Sequence, residues 1–245
     1  MLFILYCKNE GSSHGSAARS VSNALPETAS SVPSASGEKN RALSAGQRLL
    51  LETGLREMGI SRNDVIPDLM IERGQYGKPF FPSLPNVRFN FSHSGSWIAC
   101  AFSDCEVGLD LQAHDQLRVD GLRIARRFFT HPEYQALVAL SSDQTAMKNL
   151  FFRFWTIKEA YLKYVGCGLY AEPDSFLPLP AGRSAGPDYS PATALRGSIE
   201  ILKRKDLLTP GVYAVLPAPD GYSMAVSAGR LPEEISVRRV EAPHL

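Results

Sequence analysis

The sequence predicts an α+β protein in which small antiparallel sheets are packed with helices. Three observations support this class. The chain opens on the apolar run MLFILYC, which is typical of a buried first strand. Short strand-like segments separated by turn residues occur in both halves of the chain. Segments with helical spacing lie between these groups of strands, so each half contains helix together with a small antiparallel sheet.

The first half is predicted to contain one helix and several strands. Residues 11–37 are dominated by Ser, Ala, Gly and Pro, and we expect them to form a mobile surface loop. A helix is predicted from about Asn40, with Gly59 as its C-terminal stop. Three strand-like runs follow, at 88–94, 97–103 and 106–111. Short turns separate these runs, which predicts an antiparallel meander.

The second half is predicted to follow a polar joint, so that the halves comprise residues 1–115 and 116–245. LRIARRFF is predicted to be a short helix. Thr130 and Glu133 form a T-x-x-E capping box that begins another helix, and a longer helix spans about 144–165. Three strands are predicted near 198–203, 211–216 and 222–228.

Composition argues against several classes of protein. A formal net charge of +1 over 245 residues is unlike that of a general nucleic-acid binder. No stretch approaches the ~20 apolar residues needed to cross a bilayer. The four cysteines show neither CxxC pairing nor a histidine at zinc spacing. These features predict a reduced, cytoplasmic protein that binds neither nucleic acid nor membrane.

Glu159 and Lys163, on the long helix, are the first candidates for a functional site. They stand four residues apart, which is the spacing of an ion pair on a helix surface. The apolar core stripe lies on the opposite side of the helix and comprises Leu150, Phe154, Ile157, Tyr161 and Tyr164. Because Trp155 and Leu162 flank Glu159, its carboxylate needs a cation, either Lys163 or a metal. A functional carboxylate and a structural ion pair both remain open on these residues alone.

Asp110 is a candidate ligand for a hard cation. If the alternate apolar residues of its strand face the core, Asp110 points to the other face together with Gly108. Mg²⁺ uses such carboxylates alongside the phosphates of a substrate. Gln112 points the same way and could offer a neutral oxygen or hold a metal-bound water. An aspartate that only caps a turn is the alternative.

Hydroxyl and basic side chains are candidates for binding a phosphate ligand. Ser92 and His93 project to opposite faces of a strand, which makes them poor partners as nucleophile and base, and no GxSxG motif is present. We expect His93 to bind phosphate together with a hydroxyl or a backbone N–H, and a structural histidine is the alternative. Lys78 lies on a loop stiffened by glycine and proline. Further cations that could reach the same anion are Lys39, Arg41 and Arg48.

The sequence resembles the 4′-phosphopantetheinyl transferases in five motifs, which are GKP, FNFSHSG, GLDL, RFF and WTIKEAYLK in this order and spacing. The similarity is to the larger, monomeric type, which activates peptide synthetase, polyketide and fatty-acid carrier proteins. It is dense over about residues 70–177. The resemblance implies two similar halves forming a pseudo-dimer, with coenzyme A in the cleft between them and Mg²⁺ as cofactor. It also implies transfer of phosphopantetheine to a carrier-protein serine, with release of adenosine 3′,5′-bisphosphate.

The resemblance further implies roles for individual residues. Asp110 and Glu159 would be the metal ligands, and Glu159 would also be the base for the serine hydroxyl, directly or through a water. Lys163 would hold the pyrophosphate of coenzyme A. Trp155 and Lys158 would shape the site. The implied coenzyme A-binding set also includes Ser92 and His93 at the phosphates, Lys78 near the adenosine, Lys158, and Arg48.

Two features depart from the family pattern. Gln112 stands where many relatives have glutamate, so water or the amide must complete the metal shell. The basic run that relatives place before the first helix is thin and shifted. A metal-dependent phosphoesterase and a non-catalytic coenzyme A-binding module are therefore kept as alternative functions. Three arginines after the joint could receive an acidic helix of a carrier protein, namely Arg123, Arg126 and Arg127.

Overall fold

The computed structural model describes residues 1–9, 43–60, 70–116, 120–181 and 195–241. The predicted loop at 11–37 lies outside these ranges. In chain order, the strands are β1 (Leu2–Lys8), β2 (Glu72–Arg73), β3 (Pro79–Phe80), β4 (Arg88–Ser94), β5 (Trp97–Ser103), β6 (Val107–Ala113), β7 (Phe176–Pro180), β8 (Arg196–Ile201), β9 (Gly211–Leu216), β10 (Tyr222–Ala228) and β11 (Ser236–Arg239). The α-helices are α1 (Ala45–Glu57), α2 (Gly121–Phe128), α3 (His131–Ala139) and α4 (Gln144–Val165).

Two sheets form the centre of the molecule. The first has the strand order β11-β1-β5-β4 and the second the order β6-β10-β9-β8-β7. Pairing within them is antiparallel, apart from the parallel pair β1–β11. Strands β2 and β3 form a separate two-stranded ribbon.

The sheets are layered between helices, because the side chains of each strand alternate between two faces. Helix α1 covers the outer face of the first sheet, where Leu50 packs in a cluster with Phe102. The inner faces of the two sheets share a second cluster, which includes Ile4 and Val226. Helix α4 covers the outer face of the second sheet through residues such as Tyr161. This arrangement confirms the predicted α+β class.

Local signals set the ends of the helices. Helix α4 has the predicted length, with Asp143 as its N-cap and Gly166 in the left-handed conformation (φ +77°) at its end. The predicted capping box of Thr130 and Glu133 begins α3. Helix α1 begins later than predicted, after a capping box formed by Ser44 and Gln47.

The predicted meander is correct for its first two strands and wrong for the third. Strands β4 and β5 form an antiparallel hairpin around Gly95, which has φ +52°. Strand β6 instead pairs with β10 of the second sheet. Strand β5 has no free edge for it, since β1 and β4 occupy both sides.

Strand β6 meets β4 through a seam of side-chain hydrogen bonds. Its edge facing away from β10 donates three backbone N–H groups to side chains of alternate residues on β4. The pairs are Leu109 with Asn90 (2.9 Å), Leu111 with Ser92 (3.0 Å) and Ala113 with Ser94 (2.9 Å). The seam therefore joins the two sheets without a backbone ladder.

Strand pairing crosses the predicted division at residue 115 in two places. Strand β6 precedes that position but belongs to the second sheet, and β11 follows it but belongs to the first sheet. The division into residues 1–115 and 116–245 stays a prediction. In the described ranges, no helix is both long enough and apolar enough to span a membrane.

Gly108 allows α4 to lie directly on β6. A Cβ at this position would overlap the backbone of Ala160 and Tyr164. We predict that Gly108→Ala destabilises the fold by about 2–3 kcal/mol, because the helix must move away from the strand. Urea unfolding would measure this change. The control Gly74→Ala, whose Cβ would have only an ordinary contact at 3.7 Å, should stay within about 0.5 kcal/mol of the parent. Equal effects of the two substitutions would contradict the prediction.

Candidate functional site

The alternation of strand β6 places Asp110 on the face opposite to its apolar neighbours, as predicted, and this face lies against helix α4. The apolar residues Val107, Leu109 and Leu111 belong to the cluster between the two sheets. Gly108 and Asp110 therefore face the helix. The carboxylate of Asp110 is only 2% exposed, so its charge is compensated within the protein rather than by water.

Three donors hold Asp110. Its Oδ1 accepts hydrogen bonds from Lys163 Nζ (2.7 Å) and from Ser92 Oγ (3.0 Å). Its Oδ2 accepts a hydrogen bond from Gln112 Nε2 (2.8 Å). These four residues come from β4, β6 and α4, so the site lies where the seam meets the long helix. We refer to Asp110, Ser92, Gln112 and Lys163 as the Asp110 cluster.

An ion pair between Glu159 and Lys163, which was the structural alternative for these residues, is not formed among the described residues. The ammonium of Lys163 instead donates to Asp110 Oδ1, to Ser92 Oγ (3.1 Å) and to the backbone oxygen of Leu109 (3.1 Å). Asp110 is a better electrostatic partner for Lys163 than Glu159, because Asp110 is buried. Asp110 also accepts a hydrogen bond from the hydroxyl of Ser92. Glu159 has neither a hydrogen bond nor an ion pair with the residues that the structure describes.

Glu159 has a strongly perturbed carboxyl group. Its pKa is raised from 4.5 to about 7, mainly by burial and further by the negative charge of Asp110, while the ammonium of Lys163 acts in the opposite direction. A carboxyl group with this pKa can accept or release a proton near neutral pH. Glu159 is therefore chemically suited to the role of a general base.

Ser92 and His93 do project to opposite faces of β4. Ser92 is buried, and its hydroxyl donates to Asp110 while accepting from the backbone of Leu111 and from Lys163. Its hydroxyl is engaged with protein groups in this arrangement, and its contact with the phosphates of coenzyme A stays a prediction. His93 lies on the exposed face, where phosphate binding stays a prediction.

Lys78 is not a solvated loop lysine. Its ammonium donates to the backbone oxygen of Tyr164 near the end of α4 (2.9 Å) and forms an ion pair with Glu106 (2.6 Å). Glu106 also pairs with Arg88 (2.6 Å). Burial lowers the pKa of Lys78, although Glu106 acts in the opposite direction. Lys78 thus attaches the loop that carries it to the C-terminal end of α4.

Lys158 lies apart from the Asp110 cluster. Its side chain is 1% exposed, and its ammonium contacts Glu133 Oε2 (2.9 Å) and the backbone oxygens of Pro173 (2.8 Å) and Phe176 (2.9 Å). Lys158 therefore has a structural role in the core in this arrangement, and its contact with coenzyme A stays a prediction. Trp155 likewise packs in the core, stacked on Phe151.

The structure gives little information on the basic residues predicted near the start of α1. Arg48 is exposed on α1, and its proposed contact with coenzyme A stays a prediction. Lys39 and Arg41 lie outside the described residues. Two ionic partners, Glu106 and Glu133, were not predicted. The capping box gave a signal for Glu133, whereas no local pattern identifies Glu106.

An α+β fold that gathers two carboxylates and a lysine in this way has the groups needed by an enzyme acting on a phosphorylated substrate. Comparison with known proteins identifies which enzyme family this is. The family model of the 4′-phosphopantetheinyl transferase superfamily matches residues 106–195, which include Asp110, Glu159 and Lys163.

Two relatives extend this match. The 4′-phosphopantetheinyl transferase Sfp of Bacillus subtilis is 33% identical over 172 residues, which are 69% of this chain and 68% of the relative. The 4′-phosphopantetheinyl transferase gsp of Aneurinibacillus migulanus is 37% identical over 109 residues, which are 44% of this chain and 43% of the relative. The chain therefore belongs to the 4′-phosphopantetheinyl transferase superfamily, whose activity is the transfer of phosphopantetheine to carrier proteins.

A solved structure also aligns in part. The holo-[acyl-carrier-protein] synthase of Thermotoga maritima covers 50% of this chain and 61% of its own, at 15% sequence identity and a TM-score of 0.31. The family assignment does not depend on this partial overlap.

The raised pKa of Glu159 predicts how stability changes with pH in the absence of metal ions. Because the folded pKa of about 7 lies above the ordinary 4.5, the unfolded chain loses this proton first, and stability falls as pH rises through this window. Glu159→Gln removes the penalty. Urea unfolding in a metal chelator should show this variant to be more stable than the parent by on the order of 2 kcal/mol at about pH 8, and much less so at about pH 5.

The matched control is Glu234→Gln at an exposed position. Its effect should be small and the same at both pH values. A stability difference for Glu159→Gln that does not change between the two pH values would contradict the assigned pKa.

Proposed function

We propose that this enzyme transfers the 4′-phosphopantetheine group of coenzyme A to a serine of an apo acyl or peptidyl carrier protein. The single observation that carries the mechanism is the convergence of the two carboxyl groups of Asp110 and Glu159 with the ammonium of Lys163 where β6 meets α4. Family membership supports the reaction type. Carriers of fatty-acid, polyketide or nonribosomal peptide synthesis are the proposed partners, and we propose a monomer that acts in the cytoplasm.

In the proposed reaction, the serine Oγ of the carrier attacks the phosphorus that bears the pantetheine. The new P–O bond forms as the bond to the other phosphate of the diphosphate breaks, and adenosine 3′,5′-bisphosphate leaves. Glu159 accepts the proton of the serine, directly or through one water. Phosphoryl transfer depends mainly on alignment and on neutralisation of oxygen charge, so a base and a cation suffice as protein groups.

Lys163 is the proposed cation for the diphosphate. It approaches the site from the same face of α4 as Glu159, four residues further along the helix. A lysine ammonium on a flexible side chain is a suitable point charge for phosphate oxygens. Lys163 could therefore contact the diphosphate while Glu159 faces the attacking serine.

The donor set also fits a magnesium ion. Asp110 and Glu159 are two carboxylates close enough for one to raise the pKa of the other, and among the described residues Lys163 forms its ion pair with Asp110. The site therefore keeps an uncompensated carboxylate when Glu159 is ionised. The described residues contain no group of three or more His, Cys, Asp or Glu that could hold a metal. A pair of carboxylates still suits Mg²⁺, which retains waters and binds substrate phosphates.

Asp110 and Glu159 are the proposed magnesium ligands, and the side-chain oxygen of Gln112 is the third candidate, directly or through water. This last role requires the amide of Gln112 to turn, because its nitrogen now faces Asp110. Bound Mg²⁺ would neutralise charge on the diphosphate oxygens.

The proposal is tested by incubating the protein with coenzyme A, Mg²⁺ and an apo carrier protein, followed by mass spectrometry of the carrier. A mass gain of one phosphopantetheine is expected. Cleavage of coenzyme A with an unmodified carrier would instead indicate a phosphoesterase. Binding of coenzyme A without turnover would indicate a non-catalytic module.

We predict that Glu159→Gln lowers kcat for transfer by at least about 100-fold, since a general base typically contributes 10²–10⁴-fold. The amide keeps the shape of the side chain but cannot accept the serine proton. Circular dichroism should show an intact fold, and Glu234→Gln should retain full activity. Turnover of Glu159→Gln close to that of the parent enzyme would exclude the proposed role.

The basic surface of α2 is proposed to bind the carrier. Arg123, Arg126 and Arg127 are all exposed. We predict that the double substitution Arg126→Glu and Arg127→Glu raises KM for the carrier at least about fivefold, because it repels an acidic helix, while kcat stays similar. The KM of the parent enzyme should rise with salt through the range of about 50–300 mM.

Lys205→Glu is the matched control for this surface, because it makes the same type of charge change at an exposed position outside α2. It should leave KM unchanged. A carrier KM that is insensitive both to salt and to the α2 substitutions would show that these arginines do not dock the carrier.

A further inference from the structure

Every N–H of the Lys163 ammonium is already used. The group has three donors, and it lies within hydrogen-bond distance of three acceptors, which are Asp110 Oδ1 (2.7 Å), Ser92 Oγ (3.1 Å) and the Leu109 backbone oxygen (3.1 Å). Lys163 must give up at least one of these contacts before it can bind a phosphate oxygen.

The carboxylate oxygens of Asp110 also have hydrogen-bond partners already. Its side chain is 3% exposed, and both of its oxygens accept hydrogen bonds, from Lys163 and Ser92 on one side and from Gln112 on the other. A divalent cation that binds Oδ1 must therefore displace Lys163 or Ser92, because these two donors already occupy that oxygen. It must also approach a bound ammonium of the same charge sign, which is unfavourable in a site with little water.

A bound diphosphate group lowers the cost of moving the Lys163 ammonium away from Asp110. It offers Lys163 replacement oxygens that carry negative charge, so the ammonium can leave Asp110 without losing a charged partner. The oxygens of Asp110 then become available to a cation, and the unfavourable contact between the ammonium and the cation is weakened. One side chain thus links the two binding events.

We propose that Lys163 acts as an intramolecular competitor for Asp110, so that a divalent cation and a diphosphate ligand bind with positive cooperativity. This inference rests on the proposed function, since it takes Asp110 as a magnesium ligand and coenzyme A as the diphosphate ligand. Ser92 helps to hold Lys163 against Asp110, because its hydroxyl contacts both charged groups. By linkage, each ligand strengthens the binding of the other by the same factor.

The test is a calorimetric titration of the protein with Mg²⁺ in the absence of coenzyme A. Lys163→Met removes the competitor, and we expect this variant to bind Mg²⁺ at least about tenfold more tightly than the parent. A lysine that served only to bind diphosphate would leave the Mg²⁺ affinity of the protein alone unchanged. An equal or weaker Mg²⁺ affinity in folded Lys163→Met would therefore overturn the proposal.

Two further variants control for charge and position. Lys163→Arg retains a cation beside Asp110 and should keep the weak Mg²⁺ binding of the parent. Lys205→Met removes a lysine charge at an exposed position and should have no effect. Tight Mg²⁺ binding by either of these variants would count against competition by Lys163.

Lys163→Met leaves Asp110 without its cation, so its folding must be verified by circular dichroism. If it fails to fold, Ser92→Ala provides the test. This variant keeps Lys163 but removes a contact that holds it to Asp110, and an increase in Mg²⁺ affinity of about two- to fivefold is expected. An unchanged affinity in Ser92→Ala would overturn the proposal in that case.

The cooperativity is measured by repeating the titrations with saturating coenzyme A. Coenzyme A should strengthen Mg²⁺ binding to the parent at least about tenfold, and this factor should be clearly smaller in Lys163→Met. The carrier-modification assay distinguishes failure of the proposed competition from failure of the proposed function. If the parent modifies the carrier but Lys163→Met does not gain Mg²⁺ affinity, only the competition is excluded. If the parent does not modify the carrier, the proposed function itself fails.

Discussion

The arrangement of the site depends on how the open edge of strand β6 is satisfied. One edge of β6 pairs with β10, and buried N–H groups on the other edge would be costly without acceptors. Side chains at every second residue of β4 provide these acceptors. Ser92 is the member of this seam that also binds Asp110 and Lys163. The junction between the sheets and the Asp110 cluster therefore share one hydrogen-bond network.

The electrostatics of the site follow from an imbalance of charges. Two carboxylates and one ammonium lie close together, and the ammonium forms its ion pair with the more buried carboxylate. The pKa of Glu159 is raised as a consequence of burial and of its charged neighbour. Environments that separate the proton affinities of two acidic groups give them different chemical roles. Here Lys163 forms its ion pair with Asp110, whereas Glu159 has the raised pKa of a group that can exchange a proton.

Features that depend on local periodicity were predictable from the sequence. The ends of α4, the capping box of α3 and the face on which Asp110 lies all follow from residue spacing within one element. The partners of Lys163 and Lys158 were not predictable in this way. Those contacts join elements that are distant in sequence. The spacing of four residues between Glu159 and Lys163 shows that the two side chains share one helix face. It does not show whether a strand offers Lys163 a closer acceptor.

The parallel pair of β1 and β11 has a consequence for how the molecule is made. Strand β1 is synthesised well before its partner, which follows more than 200 residues later in the chain (Phe3 pairs with Ser236). One side of β1 therefore lacks its native neighbour until translation has nearly reached the end of the described chain. A nascent chain in this condition exposes an open strand edge, the kind of surface that chaperones protect from wrong pairing. The first sheet is thus completed only when β11 is made, well after its other three strands.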